Sequence, residues 1–519
     1  LIFTCDRTGV NELYHLDPSD CRLVQKTSTR YGASDFRYSE DGEWLYYSSQ
    51  TMNGMRIFRT RRDSLMDKTA DFTERHLYPI AEAVTAQERA MAEKRDVELM
   101  KDVKISDPVR YRKLPHMFNV HSWAPVYVNV DNIMNMSFDH VWQAISLGAA
   151  GIMQNRLSTA VGEFGYSAHK DPYDPARWRH SGHARFTYSG WYPVIEASVD
   201  FNDRASIKWM MDAYRNDGKV NSMSLYTKET GKSHIIGKLA VYIPFSFSGN
   251  GWYHGFIPRV AYTISNDRFN SRIAVFDLET DKVTGEMSGT YAGSTTGKNL
   301  PMQTISTSIR GYSMLGTANS AVYPRLGIGA ELGSHLNIES HDYLTPMGYV
   351  YVYGYVPGIL RSHGIRLSLT RQFVLQKDFL FASPVTDVLP RGFNGNISIL
   401  SRLTMSSFST TKLTADYAAP VYIGDLSIAG SLFSIKRLIL SPHFDLTLSK
   451  GISDGKQRIL FSAGCSLALD LHSILWLEWP CSIGVTWSFN GGPSLNSLEK
   501  DTGVKVGRHY VGPTFNVTF

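Results

Sequence analysis

The sequence predicts an all-β chain whose C-terminal four-fifths forms an antiparallel transmembrane β-barrel of the bacterial outer-membrane type. Three observations predict it. Apolar residues alternate with small or polar ones over long runs, aromatic residues gather near the ends of those runs, and the last run stops on an aromatic residue, Phe519.

Composition sets the bounds. At 519 residues the chain exceeds one ordinary soluble domain, so two or more units are expected. Charged residues make up 19% and aromatics 12%, where a soluble domain carries about 25% charged residues. No stretch approaches the roughly 18 consecutive apolar residues that a spanning helix requires. Low charge, many aromatics and 42 Gly suit strands that are only half apolar. The net charge of +5 comes without a basic run, so no nucleic-acid surface is expected. Four Cys with no Cys-x-x-Cys pair form neither a disulfide framework nor a zinc site. Cys5 and Cys21, like Cys465 and Cys481, could bridge neighbouring strands or stand as small buried or lipid-facing side chains.

Residues 1–62 read as short strands between turns. Leu1–Cys5 is strand-like from the first residue, which reads as a truncated N-terminus, so the absence of a secretory signal carries no information. In Ser39-Glu40-Asp41-Gly42-Glu43-Trp44-Leu45-Tyr46-Tyr47-Ser48-Ser49 the Asp41-Gly42 pair makes a tight turn and an apolar strand follows. Asn53-Gly54 then turns into Met55–Thr60. This segment resembles the TolB-like β-propeller repeat, which implies a partial propeller here and further blades upstream. A generic β-meander is the plainer alternative.

Residues 63–117 change character. Ile80–Met100 is rich in Ala, Glu, Arg and Met, lacks Gly and follows Pro79, which predicts a helix. Ser106-Asp107-Pro108 marks a second helix start. The segment reads as a charged helical connector.

From residue 118 to 519 strands follow one another. Ile459, Phe461, Ala463, Cys465, Leu467 and Leu469 alternate with Ser462, Gly464, Ser466 and Asp470; Leu413 to Val421 and Ile483 to Phe489 repeat the pattern. Period-two alternation gives one apolar and one polar face. A soluble sandwich alternates too, but these runs reach the roughly 9–11 residues a tilted membrane strand needs. Trp123 and Tyr127, Trp191 and Tyr192, Trp476 and Trp479, and Trp487 and Phe489 stand where interface girdles belong. Val511, Phe515, Val517 and Phe519 share one face of the last strand, and Phe515, Val517 and Phe519 are expected to form a C-terminal insertion signal. The length allows about sixteen strands.

Between two late strands sits Leu389-Pro390-Arg391-Gly392-Phe393-Asn394-Gly395, and downstream comes Ser441-Pro442-His443-Phe444-Asp445-Leu446-Thr447. This layout resembles the barrel of the BamA-like outer-membrane assembly superfamily, the bacterial surface antigen barrel. The resemblance implies that Arg391, Gly392 and Phe393 tip a loop folded into the lumen and that Asp445 is the lumenal partner of Arg391. Independently of it, a guanidinium inside a barrel gains a charge-assisted bond from a carboxylate, and Gly392 permits a tight turn. Asp416 is a rival partner. Thr447 stands where the family pattern has Gly, and the family's periplasmic domains are replaced by the propeller-like segment.

Catalytic and metal signatures are sparse. Gly311-Tyr312-Ser313-Met314-Leu315 fails as a nucleophile elbow at its last position. Gly293 to Lys298 is one residue short of a phosphate loop, and Gly327-Ile328-Gly329 lacks the third glycine of a dinucleotide fingerprint. His180 and His183 are too close for helical metal ligands and read as solvated loop residues. His116 and His121 read as interfacial, and Asp171 and Asp174 as an acidic turn. No catalytic residue, metal or cofactor is expected.

The resulting expectation is a non-enzymatic outer-membrane barrel in translocation, insertion or assembly of envelope proteins. Its partners would be outer-membrane lipid, the barrel assembly machinery and, through a periplasmic propeller, periplasmic proteins. A passive pore or solute transporter is the alternative.

Overall fold

A computed structural model describes residues 1–51, 54–70, 79–94, 107, 110, 112, 118–128, 145–171, 176–280, 287–317, 320–376, 381–382, 388–393, 407–428, 433–451, 455–474 and 481–517. The chain forms two compact units, Leu1–Tyr111 with Ala318–Ser320, and Arg112–Thr317 with Ala321–Phe519.

In the first unit, Ile2–Cys5, Glu12–Asp17, Arg22–Gln25 and Lys68–Thr69 build a four-stranded sheet, and Ala33–Tyr38, Trp44–Thr51 and Gly54–Arg61 a three-stranded one. Leu13, Tyr14, Leu23, Val24, Ala33 and Leu45 are its buried apolar side chains among the described residues. The Asp41-Gly42 turn forms as its residues demand. Gly42 takes a φ of 71°, and its N–H bonds Ser39 O at 2.9 Å. Asp41 accepts bonds from the Ser39 hydroxyl and from the Glu43 N–H, which together hold its carboxyl below the usual range. Among the described residues this unit is two small sheets, and a ring of blades is not seen. The helix α1 spans Pro79–Lys94 and opens at the proline. Residues 95–100, Ser106 and Pro108 lie outside the described residues, and so does the expected second helix start.

The second unit holds one large, mainly antiparallel sheet of eighteen strands and a parallel pair, Leu344–Thr345 with Phe381–Ala382, among the described residues. Phe245–Ser246 and Met287–Ser294 are short additions beside a long strand. The others begin with β1 (Val120–Val128), β2 (Ile145–Gln154), β3 (Ala160–Lys170), β4 (Trp178–Tyr188), β5 (Val194–Asn216), β6 (Lys219–Tyr242), β7 (Trp252–Thr280) and β8 (Asn299–Leu315). They continue with β9 (Leu326–Asn337), β10 (Met347–Pro357), β11 (Gly364–Val374), β12 (Ser407–Ile428), β13 (Phe433–Gly451), β14 (Gln457–Ile474), β15 (Cys481–Gly491) and β16 (His509–Val517). Each pairs antiparallel with the next. The strand order is cyclic, with β16 beside β1. No residue register joins those two strands among the described residues.

Cross-strand partners share a face, so the register sorts the side chains. Leu413, Leu440, Phe444, Leu467, Leu469, Ile483, Val485 and Trp487 lie on one face and are exposed. Asp445, Ser462 and Asn490 line up across β13, β14 and β15 on the other face and are buried. The sheet is thus apolar outside and polar inside, the reverse of a soluble core. Beyond Phe201 the β5–β6 hairpin slips register, and its far half pairs in parallel with β7, from Lys208–Arg268 to Arg215–Asp277. Met211, Phe269, Leu344 and Phe381 form the apolar core there.

Candidate functional site on the inner face

The segment 388–393 between β11 and β12 carries the candidate site. Pro390 to Phe393 form a turn closed by a 3.1 Å bond from the Phe393 N–H to Pro390 O. Gly392 follows Arg391 with a φ of 89°, the left-handed region that the third turn position requires. A Cβ at Gly392 would also stand 2.5 Å from Asn490 Oδ1. Gly392→Ala is expected to weaken the seating of this turn by about 1–2 kcal/mol. Protease cleavage of the folded chain in the loop carrying Arg391 should then rise about tenfold.

The turn delivers Arg391 to two carboxylates. Asp445 Oδ2 accepts from the Arg391 backbone N–H at 2.8 Å and from Nε at 2.9 Å, and Oδ1 accepts from Nη2 at 2.6 Å. Asp416 Oδ1 lies 2.6 Å from Nη1. The Asp445 side chain has no exposed surface. The two acids sit on β12 and β13, with Thr414 directly opposite Asp445. Lys412 is on the same inner face of β12, opposite Thr447, so the four formal charges balance locally. The sequence left Asp416 and Asp445 as rivals; the structure uses both.

Two further ties hold the segment. Thr447 Oγ1 donates to Val388 O at 2.7 Å, and Asn490 Nδ2 donates to Gly392 O and Gly507 O, both at 3.0 Å. Thr447, noted in the sequence only as a departure from the family pattern, therefore ties the loop down. Phe393 is fully buried with Leu389, Leu460, Leu495, Leu498 and Val506. Leu495 and Leu498 come from a helix α2, Leu495–Thr502, in the β15–β16 connection. Sequence reading missed Thr447, Asn490 and α2, because their partners are backbone oxygens and side chains far along the chain.

Several expectations need correction. His183 is not a solvated loop residue. It lies in β4, buried, with Nδ1 2.7 Å from Asp200 Oδ1 and Nε2 2.8 Å from Ser167 Oγ. Three residues' spacing in a strand places His180 and His183 on opposite faces, so only His180 is exposed. The Ser167–His183–Asp200 chain has the order of a hydrolase triad. Ser167, however, has no exposed surface, and its Oγ is shared with His169 Nδ1 at 3.3 Å, so it serves as an internal hydrogen-bond chain. Tyr127 is not a girdle residue: it is buried and stacks on the His183 ring at 4.1 Å. Trp123, Trp191, Tyr192, Trp487 and Phe489 are exposed, and Trp476 and Trp479 lie outside the described residues. Asp171 is no open acidic turn, because Arg179 Nε takes its carboxylate at 2.6 Å; Asp174 lies outside the described residues.

His121 is exposed on β1, and His116 lies outside the described residues. All four cysteines are free. In β16, backbone positions Phe515 and Val517 pair with Ile483 and Cys481 of β15, while the side chains of Phe515 and Val517, and Phe519, lie outside the described residues. No helix is long and apolar enough to cross a membrane, and no metal-binding cluster occurs, among the described residues.

No family model and no curated protein matches this chain. Among solved structures, CdiB from Escherichia coli is similar over 72% of this chain and 60% of its own length, at 9% identity and a TM-score of 0.39. BamA from Haemophilus ducreyi, lacking POTRA domains 1–3, is similar over 72% of this chain and 68% of its own, at 10% identity and a TM-score of 0.37.

Proposed function

We propose that the sheet closes as an outer-membrane β-barrel that inserts, assembles or translocates envelope proteins, and that it does so without enzymatic chemistry. The observation that carries this reading is the Arg391 turn, bonded to Asp445 and Asp416 on the inner wall and followed in the chain by five strands, β12 to β16. A loop so tied fixes the C-terminal strands from inside. The seam between the first and last strands, β1 and β16, would then be the place where the wall opens. The exposed apolar face would meet lipid. Phe515, Val517 and Phe519 would address the chain to the barrel assembly machinery. Residues 1–62 would belong to a periplasmic TolB-like propeller that recruits periplasmic proteins.

The full chain in lipid vesicles should speed the folding of a urea-denatured outer-membrane barrel added from outside. In planar bilayers it should give small, intermittent conductance. A large constant current without faster folding of the added barrel would overturn the reading in favour of a passive pore.

A further inference from the structure

The inner face holds a second set of charges that the loop tie does not use. Most of its described arginines are neutralised by carboxylates: Arg179 by Asp171, Arg204 by Asp267, Arg391 by Asp445 and Asp416, and Arg437 by Asp470. Arg310 on β8 and Arg366 on β11 differ. Glu331 lies directly opposite Arg310 in register, and Asp416 directly opposite Arg366. Both acids are turned elsewhere, since Glu331 Oε1 accepts from Tyr349 OH at 2.7 Å and Asp416 is held by Arg391. The two guanidiniums donate instead to phenols, Arg366 Nη2 to Tyr351 OH at 2.6 Å and Arg310 Nη2 to Tyr353 OH at 3.3 Å. A phenol carries no charge to neutralise them.

Those phenols belong to a row. Tyr349, Tyr351, Tyr353 and Tyr355 alternate along β10, which places all four on the inner face, opposite Gly333, Glu331, Gly329 and Gly327 in turn. At about 3.4 Å per residue the row covers about 20 Å along the strand, most of an apolar band about 25 Å tall. A Cβ at Gly333 or Gly329 would collide with the ring of Tyr349 or Tyr353, so these two rings lie against bare backbone. Tyr351 and Tyr353 stack at 5.2 Å. The rings are held in place before any ligand arrives, which limits the ordering cost of binding.

We propose that Tyr349, Tyr351 and Tyr355 of this row, with Arg310 and Arg366, are a binding site for an anionic oligosaccharide, Tyr353 itself being buried. A pyranose presents flat C–H faces that pack on aromatic rings, its hydroxyls suit phenol oxygens, and its carboxylates supply the direct charge-assisted bond that Glu331 and Asp416, bonded elsewhere, do not give the two guanidiniums. A neutral sugar meets only the rings, and an acidic peptide only the charges.

Titration of the detergent-purified full chain, followed by calorimetry, tests this with three probes: an oligouronate, a neutral maltooligosaccharide and an oligoglutamate. The oligouronate should bind saturably and at least about tenfold more tightly than either other probe. Arg366→Gln and Tyr351→Leu should each weaken it about tenfold. Tyr351→Phe, which keeps the ring, should lose less than Tyr351→Leu and shows that the altered wall still folds. Absence of oligouronate binding overturns the proposal. So does equal binding of oligoglutamate unaffected by Tyr351→Leu, which would reduce the site to charge alone. No assembly activity enters these readouts, so their failure leaves the barrel-assembly reading standing.

Discussion

Arg391→Ala is expected to release the loop from the inner wall, with Asp445 left fully buried and without its cationic partner. Removing one member of a buried ion pair costs about 3–5 kcal/mol, because the remaining charge keeps its desolvation penalty and loses its compensation. The Arg391 side chain is 32% exposed, which favours the lower end. About 3 kcal/mol corresponds to more than a hundredfold rise in the open population of the loop. Hydrogen exchange of the amides at 388–393 in the folded chain would measure it. Asp416→Asn should do far less, since Asp445 alone keeps three bonds to Arg391.

The structure also corrects the obvious rescue. Exchanging Arg391 and Asp445 places an aspartate at 391 beside Asp416, so the swapped pair should recover only when Asp416→Asn is added. If Arg391→Ala and Asp445→Ala both leave exchange at 388–393 unchanged, the loop tie has no energetic weight and the reading built on it falls.

Phe393→Ala tests the apolar half of the same anchor. Phe393 is fully buried among Leu389, Leu460, Leu495, Leu498 and Val506. A buried Phe→Ala substitution costs about 3–5 kcal/mol through lost transfer energy and the cavity left behind. The cavity would open against α2, so the β15–β16 connection should loosen together with the turn. Exchange should therefore rise at 388–393 and at 495–502 in parallel. Leu498→Ala should reproduce the second effect and part of the first, and the double variant should fall short of the sum because both remove one shared contact set. A rise confined to 388–393 would show that α2 is seated by other means.

The alternation from Ile459 to Leu469 was readable because a two-faced sheet forces it: the register puts Leu467 and Leu469 outside and Ser462 inside as the period requires. Asp445 was marked as the partner of Arg391 only by the resemblance to the assembly barrels, because the local residues left Asp416 an equal rival and both acids in fact bond Arg391. His183 was misread because the spacing to His180 was judged against a helix, whereas in a strand it sends the two rings to opposite faces. Tyr127 was misread because an aromatic near a strand end suits a girdle, and only the position of His183 on β4 shows what it stacks on.

The sequence by itself therefore determined the strand faces, the turn at Gly392 and the identity of the charged residues, all of which depend on neighbours a few positions apart. Tertiary structure alone decided which acid serves which arginine. Asp416 stands opposite Arg366 yet is bonded to Arg391, and Glu331 stands opposite Arg310 yet is bonded to Tyr349. Those choices depend on where a distant loop enters the sheet and on how rings and glycines pack across strands. Local patterning carries no record of either, because each partner becomes a neighbour only once the sheet has formed.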